Sequence, residues 1–200
     1  MAQHRKPTLD RRKVAAELLK QRCDALVVAG LGAPCWDTAA AGDSPLNFYT
    51  WGAMGGAAMI GLGLALAQPK RRVLVITGDG ELLMGLGSLA TIGVQQPRNL
   101  VVVVEDNEHY GETGMQQTHT RFGVDLPGMA KSAGFRAAGT IYNGAQLKSW
   151  IPRLLRQPGP ILVSVKVTTE RAPLVLPDRD GTSLCRRFRD ALPAPVAKAG

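Results

Sequence analysis

An aspartate flanked by glycines, Gly78-Asp79-Gly80, follows an uncharged β-branched run and opens an apolar segment with helical spacing. A strand ending in such a turn leaves the first N–H groups of the next helix without intrahelical partners, and those donors favour anions such as phosphate. Asp79 is itself an anion. A carboxylate and a phosphate share one site comfortably only with a cation between them. Mg2+, held by one or two protein oxygens plus phosphate oxygens, is the usual one. The motif therefore predicts a metal-bridged phosphate and a second oxygen ligand from a neighbouring strand end. Asn107 offers an amide oxygen at such an end, 28 residues after Asp79. Irregular backbone follows it, so a main-chain carbonyl near His109 could join. By itself GDG is common in turns; GDG, one helix, one strand and then Asn at this spacing is far more specific.

These residues need a frame that gathers strand ends. The runs at 73–77 and 99–105 are β-branched and, up to Glu105, uncharged, as in the middle of a parallel sheet; 25–32 reads as a buried strand ending in glycines, and 47–51, 135–141 and 160–167 read as further strands. Helical spacing is expected over 9–22, 52–68, 81–94, 125–134 and 143–157. The alternation predicts an α/β fold, a doubly wound parallel sheet with helices on both faces, in which ligands bind beyond the carboxyl ends of the strands. Three such ends carry unusual residues: Gly30-Leu31-Gly32, Thr77-Gly78-Asp79-Gly80 and the run Glu105 to Gly111. The expected division is a basic N-terminal helix or arm at 1–22, a body at 23–170 and a C-terminal tail of loop and short helix at 171–200. No charge occurs from Ser44 to Pro69, long enough to raise a membrane span. Its glycines dilute the hydrophobicity and apolar strands frame it, so a buried crossover helix is expected and no membrane partner.

The chain has 200 residues, 45% hydrophobic and 5% aromatic, with 23 glycines. That suits one domain with close backbone packing. Three cysteines, Cys23, Cys35 and Cys185, lack CxxC spacing. A disulfide framework, a zinc ribbon and a cysteine-ligated cluster are thereby disfavoured, and a cytoplasmic setting fits. The first residues show no apolar stretch of the secretory type. The net charge is +8, of which residues 1–22 supply +5 and residues 171–200 supply +3. A nucleic-acid domain more often carries its basic stripe on the folded body, so no nucleic acid is expected. The charged ends read as solvated, His4 among them, or as docking to an acidic partner.

The GDG–Asn pattern, with Trp51-Gly52-Ala53-Met54-Gly55-Gly56, resembles the diphosphate-binding domain of thiamine diphosphate (ThDP) enzymes over roughly residues 23–170. The stretch from LNFYTWGAMG through DNEHYGETGMQQTHT looks most like the β-subunit halves of sulfopyruvate decarboxylase and phosphonopyruvate decarboxylase-like enzymes. The resemblance implies that Asp79, the Asn107 side chain and the His109 carbonyl ligate Mg2+. It implies that Gly80, Glu81 and Leu82 present N–H groups to the diphosphate, that Met54 wedges between the two cofactor rings, and that the Gly52 carbonyl accepts from the 4′-amino group. Gly30, Gly78 and Tyr110 would complete the cofactor contacts, with the loop Gly30–Cys35 closing around the diphosphate. Three positions depart from the family pattern: Glu81, where a small residue is frequent, Met115, where glycine is common, and Gly56, where histidine is often found.

The implied reaction is decarboxylation of a small 2-oxo acid, with Glu112 and His119 as candidates for proton transfer and Arg121 as a candidate for an anionic substrate group. Such chemistry needs an acid beside the cofactor's aminopyrimidine, which in the family lies on a separate pyrimidine-binding domain. At this length the chain holds one of the two domains. A pyrimidine-binding (α) subunit on a separate chain is therefore expected, in a hetero-oligomer with at least two copies of each. The competing readings are a carboligase of acetolactate-synthase type, an oxidoreductase subunit, a non-catalytic cofactor-binding subunit and a flavodoxin-like nucleotide binder. The oxidoreductase lacks cluster cysteines, and the nucleotide binder lacks GxGxxG after the first strand.

Overall fold

A computed structural model describes residues 7–192; His4 and the outermost basic residues lie outside them. The chain runs α1 (Arg11–Leu19), β1 (Leu26–Ala29), α2 (Ala33–Ala40), β2 (Asn47–Tyr49), α3 (Ala57–Ala67), β3 (Val73–Gly78), α4 (Asp79–Met84) and α5 (Ser88–Gln95). It continues through β4 (Leu100–Asp106), β5 (His109–Tyr110), β6 (Gln116–Gln117), a 3-10 turn (His119–Phe122), α6 (Leu126–Ser132), β7 (Ala137–Ile141), α7 (Gly144–Arg156), β8 (Ile161–Lys166) and α8 (Gly181–Asp190).

Six strands form one sheet in the order β2-β1-β3-β4-β8-β7, every pair parallel. All seven residues of β4 are buried, as its valine run requires of a strand covered on both faces. Alternate residues feed two cores. Leu26, Val28, Val75, Val102 and Val104 pack under α3, α5 and α6. Val27, Leu74, Ile76, Val101 and Val103 pack under α1 and α7. The doubly wound expectation holds, and no helix among the described residues is long and apolar enough to cross a membrane. The uncharged stretch is instead the crossover helix α3. Gly61 lets its backbone settle onto Val75, where a Cβ would stand 2.2 Å from Cγ2.

Several elements differ from expectation. Residues 52–56 form a turn, and α3 starts at Ala57. The helix expected over 81–94 is two, broken at Gly85. A Cβ on Gly85 would lie 2.1 Å from the Gly55 carbonyl oxygen, so the break lets the 52–56 turn touch the α4–α5 junction. The segment expected to form a closing loop, Gly30–Cys35, instead enters α2. The chain after Asn107 forms a small antiparallel hairpin, β5 with β6.

The flanking segments are packed onto the body. Asp10 caps α1 by accepting from the Lys13 N–H. Val14 and Leu18 of α1 are buried. Arg11 and Arg12 both reach the fully buried Asp37 of α2, at 3.3 and 2.9 Å. After β8 the chain crosses the sheet's carboxyl end as an extended strap, residues 168–180, tied down where the Trp51 indole donates to the Asp178 carbonyl at 3.0 Å. α8 then packs on β2, with Phe188 edge-on to Phe48 at 5.4 Å and Arg187 paired to Asp43. The basic flanks are thus partly built into ion pairs, where solvation of the ends was one expectation.

Candidate functional site

The chain leaves β1 through α2 toward one edge, then returns through α3 to β3 on the other side of β1. Between the carboxyl ends of β1 and β3 the connections diverge, which is where an open α/β sheet opens a crevice. A cavity of about 70 Å3 lies there, lined by Leu31, Ala33 and Pro34, by Gly78 to Glu81, by Met54, and by Asn107, His109, Tyr110 and Glu112, among others. The N-terminal residues of α2 and α4 both reach it, and neither helix has a side-chain cap. The first N–H groups of α4 therefore face this space unpaired, while α2 adds at most that of Ala33, because Pro34 has none and Cys35 and Trp36 donate to the Gly32 carbonyl. Beside it, sharing Arg11, Ala33, Asn107, Gly111 and Glu112, lies a larger cavity of about 430 Å3 under the strap.

Asp79 is 2% exposed. Its Oδ2 accepts from the Thr118 hydroxyl at 2.5 Å and lies 3.2 Å from the Thr120 hydroxyl. Burial, and then the nearby Asp106 carboxylate, push its carboxyl up to about 7, against the pull of both threonine hydroxyls. The Asn107 side-chain oxygen accepts from the His109 N–H at 2.8 Å, which fixes the amide. Glu108 and Tyr110 turn their carbonyls across the hairpin, to the N–H groups of Thr118 and Met115. Strand alternation sends the intervening His109 carbonyl to the other edge. Asp79, Asn107 and His109 thus border one cavity and between them carry carboxylate, amide and carbonyl oxygens. They are hard donors of the kind Mg2+ takes. Among the described residues no cluster of three or more His, Cys, Asp or Glu side chains offers a different metal site.

Glu81 has a structural use. Its Oε2 accepts from the Thr77 hydroxyl at 2.7 Å, and Oε1 from the Ala57 N–H at 3.3 Å. The carboxylate therefore ties β3 to the start of α3, and Gly30 is bare because a Cβ there would collide with Oε2. Burial raises the Glu81 carboxyl, and the hydrogen bonds from Thr77, Ala57 and Leu31 oppose it. Gly80 is bare for a similar reason: the Tyr110 ring lies 2.6 Å from where its Cβ would be.

Met54, Gly78, Asp79, Gly80, Glu81, Asn107, His109, Tyr110 and Glu112 are brought to the first cavity. Met54 is half-buried on the turn, outside α3. Gly30 lies beneath it against Glu81, Leu82 sends its side chain into the core, and Gly52 is exposed off the lining. His119 is exposed on the 3-10 turn and lines neither cavity. Arg121 is paired with Glu108 at 3.5 Å and lines a third cavity behind Asn107. Sequence reasoning missed Glu105, 4% exposed with neither carboxylate oxygen hydrogen-bonded, and Lys166. For Glu105 a signal was available: an acidic residue in phase with the inward-facing Val101 and Val103. Cys35 is buried, its thiol pushed up to about 12 mainly by burial, which leaves it inert as a nucleophile.

Residues 36–165 match the family described as thiamine pyrophosphate enzyme, C-terminal TPP binding domain. Sulfopyruvate decarboxylase subunit beta of Methanothermobacter thermautotrophicus is 40% identical over 165 residues, 82% of this chain and 85% of that subunit. Phosphonopyruvate decarboxylase of Streptomyces viridochromogenes is 39% identical over 175 residues, 87% of this chain but 44% of that enzyme. The fold is shared with a solved chain from Mycobacterium smegmatis described as thiamin diphosphate-dependent, at TM-score 0.70 and 23% identity, covering 81% of this chain and 32% of that one.

Proposed function

Since the chain belongs to the thiamine pyrophosphate enzyme family and carries its C-terminal TPP-binding domain, we propose that it is the diphosphate-binding subunit of a 2-oxo acid decarboxylase of the sulfopyruvate and phosphonopyruvate type. The observation that carries this reading is the meeting of Asp79, Asn107 and His109 at one cavity with two uncapped helix starts. Asp79 and Asn107 hold Mg2+ through side-chain oxygens and His109 through its carbonyl. Asp79, pushed toward its neutral form by burial, would be held as the carboxylate beside a divalent ion. The N–H groups of Gly80, Glu81 and Leu82 bind the diphosphate, and Gly78 leaves open space where a side chain would intrude, with nothing within 4 Å of its absent Cβ.

Bound there, thiamine diphosphate supplies the electron sink that decarboxylation of a 2-oxo acid requires. Met54, on the turn after β2, would support its rings, Gly52 of the same turn would offer its carbonyl to the amino group although it lies off the cavity lining, and the Tyr110 ring packs against Gly80. Glu112 borders both cavities, which supports assigning it the proton exchange with substrate; His119, outside them, is given no such role. Relatives named as β subunits imply a separate partner chain. That partner is assigned the pyrimidine-binding half and its acid, in an assembly with at least two copies of each chain.

Thermal unfolding with ThDP plus Mg2+, against either alone, tests the site. At about 100 times the dissociation constant the pair stabilises by roughly 2.7 kcal/mol, and Asp79→Asn abolishes the part that depends on Mg2+. The reaction is tested by CO2 release from sulfopyruvate, phosphonopyruvate and pyruvate, using protein purified with its partner. A partnered preparation that neither gains stability nor releases CO2 refutes the proposal.

A further inference from the structure

Lys166, the last residue of β8, lies beside the proposed cation ligands without being one. Its register partner is Asp106, at the end of β4. Its Nζ donates to Asp106 Oδ2 at 2.8 Å and to Glu108 Oε1 at 2.9 Å. Those two carboxylates flank Asn107, and Glu108 separates Asn107 from His109. Asp106 is filled with donors: Oδ2 also accepts from the Ser164 hydroxyl at 2.9 Å, and Oδ1 from the Thr120 hydroxyl at 2.8 Å and the Glu108 N–H at 3.2 Å. Glu108 holds a φ of +63°, a left-handed conformation that its own backbone preferences disfavour. Surrounding contacts must keep it there, and its side chain is 4% exposed between Lys166 and Arg121.

We propose that Lys166 is a positioning residue for the cation site: by gripping Asp106 and Glu108 together, it holds the 106–109 turn in the shape that presents the Asn107 amide and the His109 carbonyl to the cavity. The same Asp106 reaches Asp79 through Thr120, whose hydroxyl lies 2.8 Å from Asp106 and 3.2 Å from Asp79. Lys166 therefore acts on all three ligands without touching any. This inference rests on the assignment of Asp79, Asn107 and His109 as ligands.

Charge alone and positioning predict opposite signs. Removing a positive charge near a divalent ion strengthens its attraction to the site. Loosening the turn that carries its ligands weakens binding, as loss of groups that support metal ligands does by ~10- to 100-fold. The experiment is a Mn2+ titration followed by electron paramagnetic resonance, in saturating ThDP, on the full chain with any co-purifying partner. Lys166→Met is expected to weaken Mn2+ at least tenfold, and Lys166→Arg to recover part of the loss. Lys166→Gln, which removes the same charge but keeps a shorter donor, is expected to weaken it in the same direction and guards against a Lys166→Met chain that fails to fold. Unfolding midpoints without the ion separate a ligand effect from general instability. Equal or tighter Mn2+ binding in folded Lys166→Met, or in folded Lys166→Gln, overturns the inference. Wild-type protein that binds ThDP but takes up no Mn2+ overturns the ligand assignment and the inference with it.

Discussion

Glu105 sits on β4 in phase with Val101 and Val103, and is 4% exposed with neither carboxylate oxygen hydrogen-bonded. Burial first, then Asp37, push its carboxyl well above the ordinary range; Arg11 opposes them and Asp10 adds a little. A raised carboxyl destabilises the fold only where the unfolded chain is ionised and the folded one is not. Below the ordinary value of 4.5 both states carry the proton and no penalty arises. As pH rises through that value the unfolded chain loses its proton first, and stability falls by up to about 1.4 kcal/mol per pH unit until the folded carboxyl ionises too. Glu105→Gln keeps the volume and an unmet polar group but removes the titration. It is expected to match wild type near pH 4 and to exceed it by a margin that widens toward neutrality. Glu105→Leu also removes the unmet polar group, for a gain of roughly 1–3 kcal/mol even at low pH. In a domain of this size each kcal/mol moves the midpoint by about 2–4 °C. Urea unfolding followed by tryptophan fluorescence across pH 4–8, without cofactor or divalent ion, measures both. A Glu105→Gln margin that does not change with pH, or a Glu105→Leu chain less stable than wild type, refutes the reasoning.

Phe188→Ala removes a ring that is 7% exposed against Phe48 and is expected to cost about 3 kcal/mol. Limited proteolysis should then cut the 168–180 strap as α8 loosens. Gly85→Ala drives a Cβ to 2.1 Å from the Gly55 carbonyl. With backbone on both sides it is expected to cost roughly 1–3 kcal/mol and to weaken ThDP binding by moving the Met54 turn, both read from urea and thermal-shift titrations. Iodoacetamide should add two groups to the native chain, at the exposed Cys23 and Cys185, and a third at the buried Cys35 only in denaturant; intact-mass spectrometry counts them.

The main strands were legible because, short of their carboxyl ends, their residues are uncharged and rich in valine, isoleucine and leucine, a composition that suits the middle of a parallel sheet. Asp79 and Asn107 were legible for a related reason: a strand end is a fixed place, so spacing along the chain translates into proximity across the sheet. What escaped depends on contacts distant in sequence. α2 carries a buried Asp37 whose partners, Arg11 and Arg12, lie about one helix and one strand earlier, so its charge pattern alone suggests no face. The break at Gly85 looks like one more glycine in a small-residue helix until the Gly55 carbonyl is seen against it. The hairpin β5–β6 pairs only two residues per strand, too few for alternation to register. The basic flanks read as solvated because the acids they meet, Asp37 and Asp43, belong to other elements.

The docking of α8 on β2 joins a helix near the end of the described chain to a strand near its beginning, with Arg187 and Asp43 separated by 144 positions. During synthesis the β2 edge emerges early, with Phe48 uncovered, and waits for Phe188. Closing so long a loop is slow compared with pairing neighbours. Until α8 docks, the Phe48 side of this edge strand stays open to other chains.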